Sequence, residues 1–153
     1  MTEKVIRENW GTQVADFNFW VGKYVDRFYD NLTNKKIVGN KCPKCSKVFV
    51  PPRKICNVCR DVIQLDQNWV DLPNTGTLMN YTLTPYRVSE KGKTKEESLL
   101  SIGMMQIDGS NTSIMGKLVN IEPKDIKQGM KLKIEWAEKP TGAPSDIKGF
   151  VKA

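Results

Sequence analysis

Histidine is absent from this 153-residue chain. That excludes Ser-His-Asp and Cys-His catalysis, and it excludes mixed Cys/His metal sites. Long apolar runs are missing too. The longest weakly polar stretch, Leu99 to Ile107, is far shorter than the ~20 residues that span a bilayer. Met1 to Asn9 (MTEKVIREN) holds no apolar segment of signal-peptide length. The expectation is a soluble, cytoplasmic protein without membrane attachment. There is no internal repeat and no low-complexity tract. Acidic residues are the minority: 17 Asp plus Glu face 24 Lys plus Arg, a net charge of +7. Such a balance suits an anionic partner (nucleic acid, a phosphorylated cofactor or an acidic protein face), or serves solubility alone. Apolar residues make up 39%, and 5 Phe, 4 Tyr and 4 Trp are too many aromatics for a disordered chain.

Cysteine is scarce and clustered. All four cysteines fall between Cys42 and Cys59, spaced Cys-x2-Cys, ten residues, Cys-x2-Cys. In a reducing compartment this pattern points to a metal ion rather than disulfides. Two residues between thiols let one tight turn aim both sulfurs at one ion, and the ten-residue gap lets a short hairpin bring the second pair opposite the first. Val48, Phe49 and Val50 form the intervening strand, and Pro51-Pro52 end it. Cys42, Cys45, Cys56 and Cys59 are thus expected to make a closed, tetrahedral, all-thiolate site with a structural role and no open position for catalysis. Zn2+ is the expected occupant, because a β module follows rather than an electron-transfer scaffold. Iron fits the same four sulfurs and would imply electron transfer.

Three segments flank and contain this cluster: a helical segment over 1–35, the ribbon over 36–68 and a β module over 69–153. From Val14 to Leu32, Val14, Phe17, Val21, Tyr24, Val25, Phe28 and Leu32 share one face of a 3.6-residue period. Phe19, Trp20 and Tyr29 widen that face. Thr12 is the expected N-cap, Asp16 adds negative charge to the first turns, and Gly22 is a point of division into two helices. The third segment reads as five strands: Thr77–Thr84, Ser98–Ile107 with a bulge or bend at Gly103, Thr112–Val119, Met130–Trp136 and Ile147–Lys152. A turn covers Asp108–Asn111, and Glu122–Gln128 forms one helical turn closed by Gly129. Tyr86 to Glu97 is a charged connection. Five strands with a short helix between the third and fourth suggest a five-stranded OB-fold barrel. The expected class is mainly β with N-terminal α-helices.

This order of parts resembles the family of rubredoxin-like zinc ribbons followed by an OB fold that is associated with acyl-CoA metabolism and long catalogued as a domain of unknown function. The resemblance rests on Phe19-Trp20, Cys42-Pro-Lys-Cys45, Pro51-Pro52-Arg53, Cys56-Asn-Val-Cys59, Trp69, Gly76-Thr77, Asn80-Tyr81-Thr82 and Ile126 to Met130. It covers residues 17 to 136. Ser46 stands where the family usually has a knuckle glycine, and Asn57 where proline is common. The resemblance implies a non-catalytic accessory protein of thiolases or 3-hydroxy-3-methylglutaryl-CoA (HMG-CoA) synthases, with acyl-CoA or CoA as ligand.

CoA offers phosphates that want Arg or Lys, an adenine that wants an aromatic or Arg face, and a pantetheine arm that wants an apolar groove with backbone amides. Arg53, held beside the ribbon by Pro51-Pro52, is the first candidate. Tyr81 and Thr82 share a barrel strand, one facing the core and the other a groove. Arg87 and Lys93, with Lys91 and Lys95, form a basic loop suited to the 3′-phosphate, and Trp20 with Phe19 could floor an apolar channel. Each has an ordinary structural reading as core, ion pair or solvated loop. The alternative function is a nucleic-acid-binding zinc-ribbon/OB-fold protein, less favoured because the strands lack interleaved cations and aromatics. A stand-alone enzyme would have to draw an acid/base pair from residues such as Asp108 and Glu135, which nothing in the sequence marks.

Overall fold

The computed structural model describes residues 20–86, 89–90, 93–94 and 98–153. The predicted Thr12 cap, Asp16 and the apolar positions Val14, Phe17 and Phe19 lie outside the described residues, as does Arg87.

One α-helix is present among the described residues, α1 (Lys23–Leu32), rather than the plural helices expected. Gly22, the expected point of division, takes φ 80, outside helical backbone, and stands at its N-cap. Phe28 and Leu32, four apart, are its buried pair. The ribbon strands are β1 (Ile37–Lys41) and β2 (Val48–Phe49), and β3 (Trp69–Leu72) follows. They form an antiparallel sheet in the order β2-β1-β3.

The next strands are β4 (Thr75–Tyr86), β5 (Ser89–Glu90), β6 (Lys93–Thr94), β7 (Ser98–Ile107), β8 (Ser113–Lys117), β9 (Lys131–Trp136) and β10 (Ile147–Lys152). Among the described residues β5 and β6 pair with each other, as a hairpin within the charged connection. The five long strands make an antiparallel sheet in the order β10-β9-β4-β7-β8. This is OB topology, but the expected closed barrel is not reached by a continuous ladder. Among the described residues the two edge strands are bridged once, in parallel, between Leu118 just past β8 and Phe150, where Val119 N–H donates to the Phe150 carbonyl at 2.9 Å. OB barrels are commonly open at this seam.

The bulge also sits elsewhere. The β4–β7 register shifts between Leu78 and Asn80, so Met79 is the extra residue. Gly103 instead makes room: a Cβ there would lie 2.7 Å from Leu78 Cδ1 and 2.9 Å from Leu118 Cδ2. The helical turn before β9 is a single 3-10 turn, Pro123–Asp125.

An apolar cluster joins all three parts. Phe28 and Leu32 of α1, Ile37, Val38 and Val50 of the ribbon, and Leu78, Met105, Leu132 and Phe150 of the barrel pack together. Polar staples reinforce it. Tyr24 Oη donates to the Ile63 carbonyl at 2.6 Å, and the Arg27 guanidinium lies 4.4 Å from the Trp69 ring centroid. Asn111 and Thr112, just before β8, bond to the backbone of Val48 and Val50 and so fix the ribbon to the barrel. None of the described helices is long and apolar enough to cross a membrane.

Asp146 organises the loop before β10. Its buried carboxylate accepts from the backbone N–H of Thr141 (2.9 Å), Gly142 (2.7 Å) and Ala143 (3.0 Å). Burial alone would raise its pKa, but these donors and the Thr141 hydroxyl outweigh burial and hold the carboxyl below its ordinary value. A depressed folded pKa means that the stabilisation is present above the unfolded carboxyl value and is lost as pH falls through it. Asp146→Asn, which turns one acceptor into a donor facing N–H groups, should therefore melt lower at pH 7. Its melting temperature should also fall less than the wild type's between about pH 5 and pH 3, as calorimetry would show.

Candidate metal centre and ligand-facing surface

Two knuckles of the same construction hold the cysteines. In the first, Ser46 N–H donates to the Cys42 carbonyl at 2.9 Å and Cys42 N–H to the Lys47 carbonyl at 2.8 Å. In the second, Arg60 N–H donates to the Cys56 carbonyl at 3.0 Å and Cys56 N–H to the Asp61 carbonyl at 2.9 Å. The residue after each second cysteine is left-handed: Ser46 has φ 58 and Arg60 φ 60. The knuckle turn demands this backbone, which is why glycine suits it and why Ser46 and Arg60 adopt it at a cost.

The turns bring Cys42, Cys45, Cys56 and Cys59 together, with all four sulfurs within 4.8 Å of one another. Two close approaches run between knuckles: Cys42 Sγ to Cys59 Sγ is 3.4 Å, and Cys45 Sγ to Cys56 Sγ is 3.5 Å. A tetrahedral zinc with Zn–S of about 2.3 Å needs sulfur–sulfur edges of about 3.8 Å. The cage therefore fits Zn2+ after a small expansion. Behind it, Cys42, Phe49, Cys56 and Ile63 form their own buried cluster.

The first cysteine of each knuckle is the acidic one. The backbone N–H of Cys45, aided by that of Lys44, lowers Cys42 against the opposing effect of burial. The N–H of Cys59, aided by Val58, takes Cys56 down to about 6. At Cys59 the N–H of Asp61 lowers the thiol, but burial and the neighbouring sulfurs prevail and raise it to about 12. Four crowded thiols thus share few negative charges by themselves. A bound cation supplies the missing charge, drives off the remaining protons and ties the two knuckles into one unit.

The CoA-contact candidates do not share one place. Arg53 sits on the ribbon, its guanidinium 5.1 Å from the Phe49 ring centroid. Its backbone is gripped by the fully buried Asn40, whose Nδ2 donates to the Arg53 carbonyl at 2.7 Å and whose Oδ1 accepts from Arg53 N–H at 3.1 Å. Tyr81 and Thr82 are both exposed, so neither is the core residue expected of the pair. They line a shallow groove of about 160 Å³ with Ile102, Met104 and Met115. Trp20 is exposed and precedes α1. Lys93 belongs to β6, and its side chain, like Arg87, falls outside what is described. Asp108 is committed to structure: Lys131 and then Thr75 bond its carboxylate and lower its pKa.

The sequence reading missed a second groove, of about 250 Å³. It is lined by Phe28, Tyr29 and Leu32 of α1, by Pro51, by Ser113 to Met115 of β8, and by Pro144 and Ile147. Met115, 74% exposed, borders both grooves. No local sequence pattern marks the second groove, because its walls come from segments far apart in the chain.

Comparison with known proteins finds the same two modules. Residues 34–62 match the family model described as the ChsH2 rubredoxin-like zinc ribbon domain, and residues 69–137 match the ChsH2 C-terminal OB-fold domain. A curated relative from Methanocaldococcus jannaschii, described as a DUF35 domain-containing scaffold protein, is 26% identical over 96 residues, 63% of this chain. The chain spans 64% of that relative's length. Among solved structures, a DUF35-family protein of unknown function from Sulfolobus solfataricus superposes with a TM-score of 0.55 at 24% identity, covering 71% of this chain and 75% of that one. The Ltp2-ChsH2(DUF35) aldolase gives a TM-score of 0.60 at 19% identity, covering 88% of this chain and 96% of the other. At those identities the two structures are a likeness of fold.

Ser46→Gly relieves the left-handed strain without touching a ligand. It should raise stability by about 0.5–1 kcal/mol in denaturant unfolding of the metal-loaded protein. A loss of stability would contradict the knuckle geometry.

Proposed function

The chain belongs to the ChsH2-type family, in which a rubredoxin-like zinc ribbon precedes an OB fold, and on that footing we propose that it is a non-catalytic scaffold protein that holds acyl-CoA or CoA beside a thiolase or HMG-CoA synthase type enzyme. The proposal includes Zn2+ on Cys42, Cys45, Cys56 and Cys59 as a purely structural ion, and action in the cytoplasm.

The observation that carries the reading is the apolar surface of the barrel. Met104 is 44% exposed and Met115 74%, and the two share one groove with Tyr81, Thr82 and Ile102. Surface apolar residues gathered in this way mark a binding face, and methionine adapts to varied partners. The chain carries +7, which suits a polyanionic ligand such as CoA. The scaffold description of the M. jannaschii relative and the occurrence of ChsH2 with Ltp2 in an aldolase agree with an accessory role. Arg53, Arg87 and Lys93 remain the proposed phosphate contacts, with Trp20 as a further apolar contact. The nucleic-acid reading gains from charge alone, since the row Asn80, Met104, Met115 across β4, β7 and β8 lacks the stacked aromatics and cations of a strand-binding face.

Thermal melts with CoA and acetyl-CoA test the proposal. Ligand at a hundredfold over Kd stabilises by about 2.7 kcal/mol, a rise of roughly 5–10 °C for a chain of this size. Affinity purification from the native host should recover a CoA-dependent condensing enzyme. No melting shift at millimolar CoA, together with no such enzyme, would contradict it.

A further inference from the structure

The outward edge of β8 lies against the groove beneath α1, and together they make a site for an extended chain of amides. β8 is an edge strand of its sheet. In an antiparallel ladder, alternate residues turn their N–H and C=O toward the neighbour and away from it. Leu118 N–H donates to the Ser101 carbonyl of β7 at 2.9 Å, so even-numbered residues along β8 face β7 and odd-numbered ones face outward. Two contacts agree: Asn111 N–H meets the Val48 carbonyl of the ribbon at 2.8 Å, and Val119 N–H meets the Phe150 carbonyl of β10 at 2.9 Å. Between these anchors the outward residues are Ser113, Met115 and Lys117; the Lys117 carbonyl lies against Gly149 of β10, whereas no hydrogen bond found among the described residues uses the N–H or C=O of Ser113 or Met115.

That free edge borders the groove of about 250 Å³ roofed by Phe28, Tyr29 and Leu32 and bounded by Pro51, Pro144 and Ile147. The occupant is constrained by size. Ser113 and Met115 are about 6.8 Å apart along the strand, whereas a partner's strand usually pairs over 5–6 residues. Here the ribbon anchor at one end and the β10 seam, which begins at Lys117, at the other leave Ser113 and Met115 as the open pair. A helix, about 10–12 Å across, is also too wide. At about 30 Å³ per small heavy-atom group, the groove takes roughly eight, the scale of one short diamide segment. Apolar walls with a few backbone donors and acceptors are what such a segment needs.

We propose that this groove binds the pantetheine arm of CoA, its amides pairing with the Ser113 and Met115 backbone as a short added strand, and its thioester end passing over Met115 onto the groove beside Tyr81, Thr82 and Ile102. The proposal deepens the CoA-binding reading and rests on it. Met115 and Lys117 lie on the same face of β8, and Lys117 pairs with Ile102 across the ladder, so a cation stands next to the groove lined by Tyr81, Thr82 and Ile102.

Amide NMR of the full, zinc-loaded chain tests it, with free pantetheine and CoA as probes. Both should shift the Ser113 and Met115 amides and slow their exchange at least tenfold. Met115→Pro removes one outward donor at an edge position where proline is tolerated, and should weaken pantetheine and CoA binding tenfold or more, while Met115→Leu should not. If Met115→Pro does not fold, Ser113→Trp fills the groove and should give the same loss. If CoA binds while the Ser113 and Met115 amides stay unmoved, the groove assignment is overturned and the CoA-binding function stands. If pantetheine shifts these amides but CoA does not bind, the groove stands and the CoA reading falls. If neither probe binds, both are overturned.

Discussion

Four sulfurs closing on one cation is the constraint from which the rest of the molecule follows. The ribbon is too small to bury a core of its own: Phe49 and Ile63 are its buried apolar residues around Cys42 and Cys56. Two hairpins of this size are marginal without a cross-link. Binding energy on the order of 10 kcal/mol for a structural zinc is large beside the stability of an ordinary domain. It fixes the knuckles, the knuckles fix β1 and β2, and these strands supply the surface on which the barrel is seated.

The seat is polar as well as apolar. Val48 and Val50 bond to Asn111 and Thr112, and Val50 enters the shared core with Phe28, Ile114 and Ile126. The α1–ribbon contacts through Tyr24 and Arg27 then hold the helix over β8. The groove exists because these contacts coincide: helix above, ribbon proline at one end, the loop stapled by Asp146 at the other. A site assembled in this way needs no catalytic group. It offers shape, backbone donors and acceptors, and an adaptable methionine rim.

Much of this was legible in the chain, and the reasons differ by element. The cysteine spacing is local chemistry, so the knuckles and their convergence could be read directly. Ser98–Ile107 and Ile147–Lys152 fall at their expected bounds, with the Asp108–Asn111 turn closing the first and the Pro- and Gly-containing loop 140–144 preceding the second. What failed depended on contacts far apart in sequence. Gly103 reads as a bulge in isolation, but it is small because Leu78 and Leu118 crowd it, and the bulge falls at Met79 instead. Thr82 and Tyr81 both turned out exposed because β4 runs past the core after that bulge. The barrel seam could not be read, since one bridge between Leu118 and Phe150 leaves no local pattern. Asn40 and Asp146 are ordinary polar letters until their backbone partners are seen, and the groove under α1 requires four segments to meet.

The claim at the centre is that the metal braces the ribbon, and the ribbon with α1 presents the barrel face. Hydrogen exchange on metal-loaded protein, and on the same protein stripped by a chelator under reducing conditions, measures it. The account predicts that residues 37–72 and the amides of α1 lose protection on stripping, while the β4–β7 ladder keeps it. Unchanged protection across residues 37–72 after the metal has gone would contradict it.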